Sequence, residues 1–151
     1  MLNNLNYFKN KKVLITGHTG FKGSWLVYWL NLYGAKIVGI SNNIPTNPSN
    51  FNANKIHKKC KNFFYDINDK KIKKIINNFQ PHFIFHLAAQ AIVSTSYKDP
   101  KETWRTNVFG TLNLLDSIKT YKKKCTIVIV TSDKCYLNLE KKTGYNENDQ
   151  L

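Results

Sequence analysis

Arginine is almost absent from this chain. Of its 23 basic residues only Arg105 is an arginine, and they face nine acidic residues, so the net charge is +14. Such a balance can mark a nucleic-acid binder. The lysines, however, lie in scattered clusters: Lys58-Lys59, Lys70-Lys71, Lys73-Lys74, Lys122 to Lys124 and Lys141-Lys142. They lack the arginine forks and interleaved aromatic residues that read phosphates and bases. A lysine- and asparagine-rich bias explains the charge, and no nucleic-acid partner is expected, although an anionic cofactor or substrate would still be attracted. Cysteine is scarce too. Cys60, Cys125 and Cys135 are odd in number and form no Cys-x-x-Cys pair, which argues against a disulfide framework or a zinc ribbon and fits the reduced thiols of a cytoplasmic protein. Cys135 has no partner that would mark it as a nucleophile and is expected to be a small buried residue. No apolar run approaches the ~20 residues of a membrane span. Met1 to Asn10 is polar, so neither a leader nor a membrane partner is expected.

What the chain does have is an alternation of strand-like and helix-like segments. Lys12 to Thr16, Lys36 to Ser41, Asn62 to Tyr65, His82 to Leu87 and Thr126 to Val130 are short β-branched or aromatic runs that read as buried strands. Between them, Ser24 to Tyr33 reads as a largely buried helix closed by Gly34. Asp69 to Asn78 reads as a helix capped by Asp69, with Ile72, Ile75 and Ile76 facing inward, and Pro100 to about Thr120 as a longer helix. Residues 42–61, polar and holding Pro45 and Pro48, read as a surface loop. The pattern implies an α/β fold: a Rossmann-type, doubly wound parallel sheet in three layers, forming a single domain over residues 1–151.

The most informative stretch is Gly17-His18-Thr19-Gly20-Phe21-Lys22-Gly23, set between the first strand and the first helix. Glycines there let backbone approach a pyrophosphate, and the helix start offers free N–H groups and a partial positive charge. The spacing is G-x-x-G-x-x-G rather than the commoner G-x-G-x-x-G. The strand before it and the helix after it supply the context that a dinucleotide site requires.

Three further strings join that loop: His86-Leu87-Ala88-Ala89-Gln90, Thr106-Asn107-Val108-Phe109-Gly110-Thr111 and Thr131-Ser132-Asp133-Lys134-Cys135-Tyr136. Together with Thr16 to Leu26 they resemble the extended short-chain dehydrogenase/reductases, the NAD-dependent epimerase/dehydratase family. Within it, the resemblance is to the CDP-glucose 4,6-dehydratases of bacterial surface-polysaccharide synthesis. It implies NAD as cofactor, with Gly17, Thr19, Gly20, Phe21, Lys22 and Gly23 along the pyrophosphate, and Asp66 and Ile67 at the adenine. Leu87, Ala88 and Ala89 would border the nicotinamide side, with Thr106 nearby. It implies a nucleotide-sugar substrate, CDP-glucose, with Ser132 bonded to the sugar 4-hydroxyl and Asp133 as the acid that protonates the departing C6 hydroxyl. Lys134 stands where dTDP-glucose relatives carry a glutamate, the C5 base. A homo-oligomer is implied through the long helix, whose Trp104, Val108, Leu112 and Leu115 make one apolar stripe expected in part to cover the sheet.

Read from the residues alone, several of these positions have a second meaning. Asp66 could cap the next helix, His86 is expected to be a packed core residue, and Asn107 could bond backbone. After the second strand the chain reads Ser41-Asn42-Asn43, with no carboxylate to choose NAD over NADP. The family's Tyr-x-x-x-Lys pair is expected on a helix after Thr131-Ser132-Asp133. The strings Tyr7/Lys11 and Tyr97/Lys101 precede that segment and read as chance. The chain is therefore expected to be the N-terminal part of such an enzyme, truncated after about the fifth strand and inactive alone.

Overall fold

The computed structural model describes residues 5–132 and 135–151. Five strands form a single parallel sheet: β1 (Lys12–Thr16), β2 (Lys36–Ser41), β3 (Lys61–Phe64), β4 (Phe83–His86) and β5 (Thr126–Ile129). Their order is β3-β2-β1-β4-β5. The chain thus walks outward from β1 to β3, then returns to the other side of β1 for β4 and β5. That reversal makes β1 and β4 the switch point, where connections leave in opposite directions and a crevice opens beyond the strands' carboxyl ends. Register places Thr16 opposite Ile40 on one side and His86 on the other, so the three strand ends are level.

Parallel strands covered on both faces need apolar side chains on both. In β1, Val13, Leu14 and Ile15 are fully buried, and they alternate between two cores. Leu14 joins Val38, Ile40, Ile84 and Leu114 under α3 (Lys71–Phe79) and the later helices; Val13 and Ile15 join Ile37, Val27 and Leu30 under α1 (Phe21–Leu32). Each such fully buried Leu or Ile contributes about 1.5–3 kcal/mol before entropy is charged against it. The result is the expected three-layer, doubly wound α/β sheet.

Several local expectations need correction. The first helix is not largely buried: Gly23, Ser24, Val27 and Leu30 are its buried residues, Leu26 and Tyr28 pack partly against the same core, and Trp25, Trp29 and Leu32 are exposed. Its hydrophobic residues run all round the helix, so sequence period alone could not select the inner face. Residues 42–61 are not simply a surface loop. Ser49 caps a short helix α2 (Asn50–Ala53) by accepting from the Asn52 N–H, and a turn follows at Ile56–Lys58. Phe51 and Ile56 from this stretch are buried in the α1-side core. The α3 helix starts at Lys71, yet Asp69 still serves its first turn, accepting from the Lys71 N–H at 2.8 Å. Cys135 is exposed rather than buried, because it lies in a turn beyond β5.

The long helix runs without a break from Pro100 to Lys119, as expected, but with a π-type stretch inside it. A short helix α4 (Val93–Lys98) precedes α5 (Pro100–Trp104), a π-type turn covers Arg105–Phe109, and α6 (Gly110–Lys119) follows. Trp104, Val108, Leu112 and Leu115 are all exposed. None of that stripe covers the sheet; Gly110, Leu114 and Ser117 do. Small residues let α6 sit close: a Cβ on Gly110 would lie 2.4 Å from Ile67 Cγ2. Among the described residues no helix is long and apolar enough to cross a membrane.

Candidate dinucleotide cleft

At the switch point a cleft of about 630 Å³ opens above the ends of β1, β2 and β4, well within the range of ligand sites. Its floor is the glycine turn. Gly17 has φ of +72°, and a Cβ there would sit 2.7 Å from the Leu87 carbonyl carbon. Only glycine meets both demands. Gly23 lies in the first turn of α1, where a Cβ would stand 2.1 Å from the Gly17 carbonyl oxygen. Gly20 is the residue before the helix, with no side-chain cap. The first N–H groups of α1 are therefore left without intrahelical acceptors, at the end of the helix that favours anions.

Two buried hydrogen-bond chains hold the walls. In the first, Thr16 Oγ1 accepts from the N–H groups of Leu87 and Ala88, both at 3.2 Å, which fixes the turn after β4. With its lone pairs so used, the Thr16 hydroxyl donates to His86 Nδ1 at 2.6 Å. His86 Nε2 then donates to Thr111 at 3.0 Å, and Thr111 donates to the Asn107 carbonyl at 2.7 Å. His86 is thus the packed core histidine expected, and burial holds its pKa down to about 4. In the second chain, Asn62 donates to the His57 and Cys60 carbonyls, so its Oδ1 accepts from His18 Nε2 at 3.0 Å. His18 Nδ1 accepts from Ser41, and Ser41 Oγ accepts from the Thr19 N–H at 3.3 Å. Burial lowers the His18 pKa as well and raises Cys60 to about 12, so Cys60 is a packed thiol rather than a nucleophile.

All twelve residues picked from sequence for the cofactor line this one cleft: Gly17, Thr19, Gly20, Phe21, Lys22 and Gly23; Asp66 and Ile67; Leu87, Ala88 and Ala89; and Thr106. Asp66 does not cap α3. Its Oδ1 accepts from the N–H of Asn68 at 2.8 Å, and Arg105 holds the carboxylate with two further bonds. Those Arg105 bonds keep the Asp66 pKa below the usual carboxylate range. Asn107 bonds the backbone of Gln90 at both its amide atoms. Ser132 is exposed, immediately past Val130 and Thr131, which line the cleft. Asp133 and Lys134 lie outside the described residues. Neither Tyr7/Lys11 nor Tyr97/Lys101 lines the cleft.

Sequence reasoning missed Asn42, Asn43, Tyr65, Gln90, Ile92, Thr95 and Glu102, all of them in the lining. Asn42 and Asn43 were within reach, since they follow the second strand where a ribose-binding residue is expected. Glu102 and Thr95 were not, because they arrive from helices distant in sequence.

The comparisons with known proteins agree with this geometry. The family model described as GDP-mannose 4,6 dehydratase matches residues 14–151, and the chain belongs to that family of nucleotide-sugar dehydratases and epimerases. Among individual relatives, a CDP-glucose 4,6-dehydratase of Salmonella typhimurium is 43% identical over 147 residues, covering 97% of this chain and 41% of that protein. A CDP-paratose 2-epimerase of Salmonella typhi is 32% identical over 164 residues, covering 93% of this chain and 46% of that protein. The chain thus spans under half the length of these relatives. Among solved structures, a UDP-glucose 4-epimerase of Thermus thermophilus in complex with NAD superposes with a TM-score of 0.62 at 32% identity, over 71% of this chain and 33% of that one. The epimerase Mth375 of Methanothermobacter thermautotrophicus shares the fold, with a TM-score of 0.78 over 98% of this chain and 43% of that one, at 24% identity.

Proposed function

We propose that the cleft binds NAD and that residues 1–151 form the cofactor-binding domain of a cytoplasmic CDP-glucose 4,6-dehydratase. The observation that carries this reading is the cradle itself. Gly17 and Gly23 stand where any Cβ would collide with backbone, uncapped helix N–H groups face the turn, and the twelve residues chosen from sequence converge on one cavity. The 43% identity to a CDP-glucose 4,6-dehydratase supports CDP-glucose over other nucleotide sugars. The pyrophosphate would lie along Gly17 to Gly23, the adenine against Asp66 and Ile67, and the nicotinamide side against Leu87 to Ala89 and Thr106. NAD, when bound, would supply a hydride acceptor for sugar C4 and return that hydride to C6 after water is lost. Ser132 would bond the sugar 4-hydroxyl, Asp133 would protonate the leaving C6 hydroxyl, and Lys134 would stand beside C5. Among the described residues neither Tyr-x-x-x-Lys string, Tyr7/Lys11 or Tyr97/Lys101, lines the cleft, so these residues would leave the first oxidation without a base of the kind that typically contributes about 10²–10⁴-fold. Residues 1–151 alone are expected to bind cofactor without forming the 4-keto-6-deoxy product.

The test is thermal unfolding with NAD, NADP and CDP-glucose added separately. NAD at a hundred times its Kd should stabilise the chain by about 2.7 kcal/mol. Gly20→Val, which puts a branched side chain beside the pyrophosphate path, should abolish the shift while leaving the chain folded. An unchanged melting temperature in millimolar NAD would overturn the reading. A larger shift with NADP would reassign the cofactor, which Ser41, Asn42 and Asn43 leave without a deciding carboxylate.

A further inference from the structure

In a chain that meets every other cationic need with lysine, the one guanidinium stands at the rim of the cleft. Arg105 uses four of its five N–H donors on two carboxylates. Nη1 and Nη2 donate to Asp66 Oδ1 and Oδ2 at 3.0 and 2.6 Å; Nε and Nη2 donate to Glu102 Oε2 and Oε1 at 2.6 and 2.9 Å. Glu102 Oε1 also accepts from Thr106 at 2.9 Å. Asp66, Glu102 and Thr106 all line the cleft, whereas Arg105 does not. A second strap runs beside the first. Asn68 Nδ2 donates to the Arg105 carbonyl at 3.0 Å and to Asp66 Oδ1 at 3.2 Å. Arg105 is the first residue of the π-type turn Arg105–Phe109, which runs directly into Gly110, where a Cβ would lie 2.4 Å from Ile67 Cγ2.

The bonding leaves the two Asp66 oxygens unequal. Oδ1 accepts from the Asn68 N–H, Asn68 Nδ2 and Arg105 Nη1, so it is saturated. Oδ2 accepts from Arg105 Nη2 and keeps acceptor capacity for a ligand donor. The Asp66 and Arg105 side chains are 32% and 44% exposed, too wet for the pair to be chiefly a stability device. The geometry points to a different role: Arg105 is a positioning residue that sets the base specificity of the cleft, holding Asp66 as a fixed, acceptor-only group for an exocyclic amino group. This rests on the reading of Asp66 as the residue facing the adenine. An amino-bearing base, adenine, donates to such an oxygen; a base carrying a carbonyl there, hypoxanthine, presents a second acceptor and is repelled. The guanidinium also offsets two carboxylates that would otherwise face the anionic dinucleotide. A lysine could neutralise one of them but could not grip both in plane.

The test compares the binding of NAD and of nicotinamide hypoxanthine dinucleotide to the same chain by calorimetry. The wild-type chain should prefer NAD by at least about tenfold, the factor expected of one hydrogen bond to a charged acceptor. Arg105→Ala should bring that ratio to within about threefold, Arg105→Lys should fall between, and Asp66→Asn, whose amide can turn a donor to the hypoxanthine carbonyl, should bring it to unity or below. A purely structural Arg105 would weaken both dinucleotides equally and leave the ratio intact in Arg105→Ala and Arg105→Lys. That outcome overturns the positioning role while leaving the dinucleotide reading standing. A wild-type chain that binds neither dinucleotide overturns both.

Discussion

Acidification should weaken this protein through His86, by an amount that can be worked out in advance. The imidazole is 2% exposed, and its bonding partners are two hydroxyls, Thr16 and Thr111, neither of which titrates. Burial lowers its pKa from 6.5 to about 4. Between those values the unfolded chain takes up a proton that the folded chain refuses. Stability therefore rises with pH across that window and falls as pH drops through it. The full effect is about 3 kcal/mol, of which about 2.5 kcal/mol should be lost between pH 7.5 and 4.5. His18, also lowered by burial, adds a loss of the same sign, so a wild-type curve alone cannot isolate His86. His86→Gln can. It keeps an amide that bonds one of the two threonines but cannot titrate. It should be less stable than wild type at pH 7.5 by about 1–3 kcal/mol, the cost of a broken buried network, and should then lose less than wild type on acidification. Urea unfolding at pH 7.5, 6.5, 5.5 and 4.5 gives both curves. If wild type and His86→Gln lose stability in parallel, to within about 0.5 kcal/mol, the buried neutral histidine is not what ties stability to pH. The site should feel the same change, because protonated His86 cannot accept from Thr16, whose oxygen fixes Leu87 and Ala88 along the cleft.

Gly23→Ala should destabilise the chain by about 1–3 kcal/mol in urea unfolding; in an isolated helix the same change would stabilise by about 1 kcal/mol, so the sign of the effect reports the 2.1 Å approach to Gly17. Leu112→Lys should leave stability within about 0.5 kcal/mol, since residue 112 is 59% exposed, while reducing self-association in sedimentation experiments if the Trp104–Leu115 stripe pairs chains. Unfolding by that substitution would show that the stripe faces the sheet after all. Leu114→Ala, one position from a stripe residue but fully buried, should cost about 2–5 kcal/mol.

Sequence alone determined the parallel sheet, its strand positions and the glycine cradle, because each rests on local chemistry. β-Branched runs make strands, three glycines between a strand and a helix make a close turn, and period-3.6 isoleucines give α3 one inward face. The cofactor residues could be picked for the same reason, since most lie within a few residues of a strand's carboxyl end. The direction in which an apolar face points is not local. Trp25 and Trp29 on α1, where apolar residues run all round the helix, and Trp104 and Leu112, which form a periodic stripe beyond β4, are as apolar as core residues but face outward; Leu30 and Leu114 were placed inside only by the neighbours that the sheet provides. Phe51 and Ile56 were hidden in a polar stretch and became core only because α1 passes over them. Ionic and proton-ordered networks were the least legible. Arg105 lies 39 residues from Asp66, and His86 lies 70 residues from Thr16. No periodicity links such pairs. Only the crossing of the chain over its own sheet brings them within hydrogen-bond reach, and with them the order of the cleft walls.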